Sequence, residues 1–280
     1  MGSHVGIWIM ILLMAIACSS EDPKDYLDRM SDEHRGDVPV KNKSSELRQD
    51  SKASGQEVVY AMMDGKDIKG YLSKPENAEE NLPGLIVIHE WWGLNDNIRM
   101  MTDKLAGEGY VALAVDLYNG KVADSPDSAG TYARSVKEGQ AIDNLTQAYN
   151  YLTTKQNAAK VGTIGWCFGG GWSLQTALAL PDKIDATVIY YGRLVTDADQ
   201  LKKLKMPILG LFGAEDSGIP PEQAKAFESA LNEAGVSNSI HIYDGAGHAF
   251  ANPSGTRYQK EAAEDAWGKT VTFFKQHLKE

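Results

Sequence analysis

The sequence predicts an α/β domain built on a mostly parallel sheet with helices on both faces and an antiparallel hairpin at its N-terminal edge. Three observations carry this. From Gln56 onward, short apolar runs alternate with longer segments of helical spacing, the pattern of strands joined by crossover helices. Two of the runs, Leu85 to His89 and Val111 to Val115, are almost continuously apolar, as expected of strands covered on both faces. Glu57 to Met62 and Ile68 to Leu72 flank a turn at Asp64-Gly65, which reads as the hairpin.

The remaining elements follow in order. Asn97 to Glu108 carries Ile98, Met101 and Leu105 at helical spacing and ends at Gly107 and Gly109. Ser128 to Thr153 reads as one long amphipathic helix with Ile142, Leu145, Ala148, Tyr149 and Leu152 on one face. Val161 to Ile164 is a strand, followed by a helix over Trp172 to Leu180. Ala186 to Tyr190, Ile208 to Phe212 and Ser239 to Tyr243 are further strands, and Pro221 to Ala234 and Glu261 to Leu278 further helices.

A chain of 280 residues can hold one large α/β domain, and 42% hydrophobic residues suffice for its core. A net charge of −10 without a basic run excludes non-specific nucleic-acid binding, which requires a basic face. Val5 to Ala17 is almost unbroken apolar sequence. It is shorter than the roughly 20 residues of a spanning helix and suits the core of an export signal. Ala15 and Ala17 before Cys18 resemble a lipoprotein processing site, which makes Cys18 the expected lipidation site. The expectation is a signal peptide over 1–17, a polar tether over 18–54 and the catalytic domain over 55–280. The protein would be exported and lipid-anchored, facing the periplasm or cell surface, or else soluble and periplasmic. The tether is charged and polar, too poor in apolar area to offset its ordering entropy, with a transient helix around Tyr26 to Met30. A monomer is expected, touching a membrane only through the lipid.

Gly165-Trp166-Cys167-Phe168-Gly169 follows a strand and opens a helix. This is the nucleophile-elbow pattern of α/β-hydrolases, with cysteine at the nucleophile position. Glycines on either side of the turn remove the Cβ atoms that would crowd it, and the helix N-terminus favours a thiolate. The only other cysteine is Cys18. Downstream, the strand ending at Phe212 runs into Gly213-Ala214-Glu215-Asp216, and the strand ending at Tyr243 runs into Asp244-Gly245-Ala246-Gly247-His248. Asp216 and His248 thus take the acid and base positions in the fold's chain order. The loop after the third strand donates one oxyanion N–H and the residue after the nucleophile donates the other, which assigns the amides of Trp91 and Phe168. Glu90, at the mouth of the same site, is placed to accept the thiol proton.

Other polar residues are set aside. His241 is structural, and His34 in the tether and His277 near the chain end are not candidates. Ser173 follows Gly171-Trp172 but lacks the second glycine and falls inside the helix. No ligand cluster has metal spacing, so neither a metal nor an organic cofactor is expected.

The set His89-Glu90-Trp91-Trp92-Gly93, Asp116-Leu117-Tyr118, Gly165 to Gly170, Asp216 with Pro220, and Gly247-His248-Ala249-Phe250 resembles the dienelactone hydrolase family over residues 56–280. The resemblance implies a Cys167–His248–Asp216 triad and a glutamate, Glu90, that pairs with the resting thiol and then helps form the thiolate. It implies a small-molecule ester or lactone as substrate, hydrolysed through an acyl-enzyme. Two arginines of dienelactone hydrolase that hold a substrate carboxylate are absent; the corresponding stretches carry Lys121 and Asn252, with Lys121 or Arg257 as substitutes. Trp92, Tyr118, Lys121 and Phe250 complete the expected substrate-binding set. The competing readings are a binding lipoprotein without turnover, and acyl transfer or thioester cleavage at the same cysteine.

Overall fold

A computed structural model of the chain describes residues 23–37, 53–76 and 81–280. The expected signal peptide with Cys18, and most of the expected tether, lie outside the described residues. Among those described, no helix is long and apolar enough to cross a membrane.

One eight-stranded sheet organises the domain, in the order β1-β2-β4-β3-β5-β6-β7-β8. The hairpin strands β1 (Ala53–Met63) and β2 (Lys66–Pro75) pair antiparallel, and β2 joins β4 (Val111–Val115) antiparallel. All other pairings are parallel: β4 with β3 (Gly84–Ile88), then β5 (Val161–Trp166), β6 (Ala186–Tyr190), β7 (Ile208–Gly213) and β8 (Asn238–Tyr243). The central strands β3 to β7 are buried at every position, which explains their continuously apolar sequence.

The crossover helices cover the two faces. Helix α2 (Asp96–Gly107) starts at Asn95, whose side chain accepts the Ile98 N–H at 3.2 Å, a cap worth about 1 kcal/mol. Helices α4 (Glu138–Lys155) and α5 (Phe168–Ala179) pack side by side. The C-terminal helix α8 (Lys260–Phe274) meets α2 where Lys104 Nζ lies 3.9 Å from the centre of the Trp267 ring. Helix α7 (Pro221–Glu233) packs on β7 and β8, and a short helix, α6 (Ala198–Leu201), packs on α7.

Two expectations are corrected. The single helix expected over Ser128 to Thr153 is two: α3 (Pro126–Ser135), opened by a Ser125–Ser128 capping box, and α4. Val136 and Lys137 are extended between them. The break lets the two apolar faces find different partners, α3 against the N-terminal helix and α4 against the sheet. The second correction concerns the tether. Residues Pro23–Glu33 form a helix, α1, docked on the domain with Tyr26 and Met30 buried. Arg29 donates to the Gly218 carbonyl at 3.0 Å, and Arg134 donates to Asp28 at 2.9 Å. Met30 lies so close over Gly218 that a Cβ there would meet its methyl at 1.9 Å. Tyr26, Met30 and His34 recur every fourth residue, so they share one helical face; that stripe holds the segment down.

Candidate active site

Parallel strands end at one edge of the sheet, and the loops beyond their C-terminal ends converge there. Glu90 follows β3, Cys167 follows β5, Asp216 follows β7 and His248 follows β8. All four side chains are buried.

Cys167 occupies a turn with φ of 54° and ψ of −117°, a conformation that L-residues avoid and that costs on the order of 1–3 kcal/mol. Close packing enforces it. A Cβ on Gly165 would stand 2.1 Å from the Gly169 carbonyl oxygen, and one on Gly169 would stand 2.2 Å from the Ile88 carbonyl oxygen. Helix α5 begins at the next residue, so its dipole end and its unpaired amides face the sulfur. Ser173 sits inside that helix, bonded to Thr163 and to the Val188 carbonyl; its role is structural.

His248 Nδ1 lies 2.8 Å from Asp216 Oδ2, and both side chains are fully buried. The other carboxylate oxygen accepts the amides of Gly218 and Ile219 at 2.8 Å each, which fixes its orientation. His248 Nε2 has no hydrogen-bond partner among the described residues. Burial opposes a charge on this ring, but Asp216 and the Cys167 sulfur outweigh it and hold the imidazole protonated well above its ordinary range. Burial likewise opposes the thiolate, yet His248 and then His34 bring the Cys167 thiol down to about 6. The two shifts describe one thiolate–imidazolium pair.

Glu90 behaves in the opposite sense. Burial first, and the neighbouring Cys167 charge second, push its carboxyl up to about 8, so it holds a proton at neutral pH. Asn252 donates from Nδ2 to Glu90 Oε2 at 2.7 Å. The loop carrying Glu90 is held by buried His89, whose Nδ1 lies 2.6 Å from the Glu90 carbonyl and whose Nε2 accepts the Leu117 amide at 3.2 Å.

A cavity of about 360 Å³ opens onto Cys167, with His34, Glu90, Trp91, Trp92 and Asn252 in its wall. Three of the expected substrate-binding residues stand elsewhere. Tyr118 and Lys121 line a neighbouring cavity of about 590 Å³, and Lys121 sits over the Tyr132 ring. Phe250 is fully buried against Tyr191 and Tyr243: this apolar side chain, two residues past His248, gains more from the core than from the pocket. Arg257 does line the cavity, but its guanidinium is bound to Glu33 and Asp37.

The residue that sequence reasoning set aside is His34. Its Nε2 stands 3.6 Å from Cys167 Sγ, its Nδ1 stands 2.8 Å from Asp37 Oδ2, and its ring stacks on Trp91 at 4.2 Å. The stripe of Tyr26, Met30 and His34, spaced every fourth residue along and just past α1, was the available signal. A ligand atom from each of His34, Cys167 and His248 lies within 4.8 Å of the other two. Among the described residues these three side chains could hold a soft metal ion once the imidazole protons were displaced, and no sequence motif links their positions.

The sequence model of the dienelactone hydrolase family matches residues 68–278. The chain belongs to the dienelactone hydrolase family. A relative from Saccharolobus solfataricus, named a carboxymethylenebutenolidase, is 33% identical over 258 residues, covering 78% of this chain and 97% of its own. One of the same name from Aquifex aeolicus is 32% identical over 234 residues, covering 80% of this chain and 100% of its own. The crystal structure of a protein named a dienelactone hydrolase from Klebsiella pneumoniae superposes with a TM-score of 0.73 at 28% identity. It covers 80% of this chain and 99% of the other. This dienelactone hydrolase family member is therefore a hydrolase of the ester- and lactone-cleaving class, on an α/β-hydrolase fold. Helix α1 and His34 precede the span that the family model matches.

Proposed function

We propose that the protein cleaves a carboxylic ester or lactone through a thioester on Cys167. The observation that carries this reading is the strained elbow that brings the Cys167 sulfur within 4.8 Å of a ring nitrogen of His248, whose Nδ1 Asp216 holds at 2.8 Å. The thiolate adds to the carbonyl carbon, and the oxyanion is received by the amides of Phe168 and Trp91, a pair of donors each worth about 3 kcal/mol in the transition state. His248 gives its Nε2 proton to the leaving oxygen, then takes a proton from water as the water attacks the thioester. The thiolate is expelled and the acid released. Neutral Glu90, held by Asn252, keeps a second negative charge away from the sulfur while the thiolate forms.

The cavity favours a neutral substrate. Position 252 is an asparagine committed to Glu90. Of the arginines in the wall, Arg257 is bound to Glu33 and Asp37, and Arg99 lies 3.7 Å from Asp96. Trp91, Trp92 and Leu94 supply apolar contact. Hydrolysis of neutral p-nitrophenyl esters and simple lactones, compared with carboxylate-bearing analogues, tests both parts. Turnover by wild type but not by Cys167→Ala, with a Cys167 acyl adduct seen by mass spectrometry, is the expected result. Equal rates in the two proteins would overturn it. We also propose that the N-terminal apolar run directs export and that Cys18 carries lipid. Labelled palmitate should then enter the full chain and be lost in Cys18→Ala; no incorporation in the wild type would refute it.

A further inference from the structure

The Cys167 sulfur faces two imidazoles, and the triad accounts for only one. His34 is built into the site as His248 is. It is 2% exposed, its Nδ1 is bound to a carboxylate at 2.8 Å, and its Nε2 is directed to the sulfur at 3.6 Å. The two rings meet edge to face at 5.1 Å. Trp91 stacks on the other side of His34 at 4.2 Å, so the ring cannot swing away without losing that contact. Asp37 is in turn held by Arg257 Nη2 at 3.2 Å, and the same arginine grips Glu33. A histidine that served only to fasten α1 would have no need of a carboxylate on one nitrogen and a reactive sulfur on the other. Tyr26, Met30, Arg29 and Arg134 already fasten the helix.

We propose that residues 23–37 supply a second histidine–aspartate dyad, His34–Asp37, that acts directly on the Cys167 thiolate alongside His248–Asp216. This rests on the thioester mechanism above and adds a catalytic residue to it. The division of labour follows from proton accounting. His34 stays protonated throughout and donates from Nε2 to the sulfur; Asp37 holds the opposite N–H. His248 carries the proton that moves. In acylation the S–C bond forms, the C–O bond breaks, and the leaving oxygen takes the Nε2 proton of His248. In deacylation water gives a proton to His248, the new C–O bond forms, the C–S bond breaks, and the electron pair returns to a sulfur already facing the N–H of His34. The second imidazolium therefore stabilises the thiolate at the two moments when His248 is engaged elsewhere. The groups around His34 agree with a charged ring. Burial and His248 oppose the charge, while Asp37 and the Cys167 sulfur favour it and prevail. Glu90, which also faces this ring, gains negative charge only at alkaline pH. Arg257 acts on Asp37 rather than on the ring.

The test reads the thiolate itself, independently of which ester is turned over. In the full chain, the rate of iodoacetamide alkylation at Cys167, followed by peptide mass spectrometry across pH, reports its ionisation. The midpoint is expected to move up by about one pH unit in His34→Ala and in the same direction, by less, in Asp37→Asn. His34→Gln, which keeps a donor but no charge, should behave as His34→Ala. Added imidazole should restore part of the alkylation rate to His34→Ala at neutral pH, which it would not do for a helix that had merely come undocked. A wild-type alkylation profile in His34→Ala overturns the proposal. So does faster ester turnover in that variant, which would make the segment a plug. Loss of turnover dependence on Cys167 would instead overturn the thioester mechanism and leave the alkylation result standing.

Discussion

Asn252 Nδ2 donates to Glu90 Oε2 at 2.7 Å, so the side chain at the position that the resemblance gives to a substrate-binding arginine holds the buried Glu90 carboxyl instead. An amide satisfies the oxygen of Glu90 without adding charge. A guanidinium there would favour the carboxylate and pull the carboxyl down. As built, Glu90 is neutral near pH 7, and the negative charge of the site resides on the sulfur.

Glu90 should make the protein less stable as pH rises. It ionises near 4.5 when unperturbed and near 8 in the fold. Between those values the folded chain keeps a proton that the unfolded chain has lost, so stability falls with rising pH. Cys167 works in the opposite sense between about 6 and 9, and comparing variants at Glu90 alone largely cancels it. Glu90→Gln should therefore gain on wild type by a few kcal/mol between about pH 5 and about pH 8.5 in urea denaturation. A constant difference across that range would contradict the buried, protonated carboxyl.

Asp216→Asn is expected to lower kcat by on the order of a thousandfold or more while leaving the fold intact. The asparagine can still accept the Gly218 and Ile219 amides, but its NH₂ facing His248 Nδ1 puts the imidazole proton on Nε2. That ring cannot then accept a proton from water. Steady-state hydrolysis of a p-nitrophenyl ester checks this, and a loss of less than tenfold would remove Asp216 from the orienting role.

The elbow glycines should tolerate no side chain. In Gly169→Ala the new Cβ would stand 2.2 Å from the Ile88 carbonyl oxygen, a backbone atom that cannot rotate away. We expect at least about 2 kcal/mol of destabilisation, read by chemical denaturation. Gly139→Ala is a control, since a Cβ there meets nothing within 4 Å.

Zinc should inhibit. Donor atoms of His34, Cys167 and His248 lie within 4.8 Å of one another, and each histidine has a carboxylate on its far nitrogen, the arrangement that orients imidazole ligands. Micromolar Zn²⁺ is expected to abolish ester hydrolysis, and EDTA to restore it. His34→Ala should need a higher concentration of Zn²⁺ for half inhibition. Equal sensitivity in the variant and wild type would show that His34 is not a ligand.

What could be read in advance divides along physical lines. The strands of the sheet announce themselves because residues buried on both faces must be apolar at every position, as in Leu85 to Ile88. The elbow does so because a close backbone approach leaves room only for Gly165 and Gly169. Asp216 and His248 follow because strand ends fix where loops converge. Each of these is a local constraint, written in adjacent residues. The break at Val136 is not, since two helices choosing different partners leave no mark at the joint. Nor is the packing of Phe250 into the core, which depends on Tyr191, just past β6, and Tyr243 at the end of β8.

His34 is the clearest case. The sequence by itself determined that Cys167 sits in an elbow motif, that Asp216 and His248 follow it in order, and that Glu90 sits in the loop after the third strand. Only the tertiary structure decided how many imidazoles the sulfur meets. His34 lies 133 positions from Cys167, in a polar segment whose composition gives no reason to fold. It becomes ordered because Tyr26 and Met30 are buried, Met30 against Gly218, and because Arg257 holds Glu33 and Asp37. Those partners come from loops after β7 and β8, and they exist as a surface only once the sheet has brought those loops together.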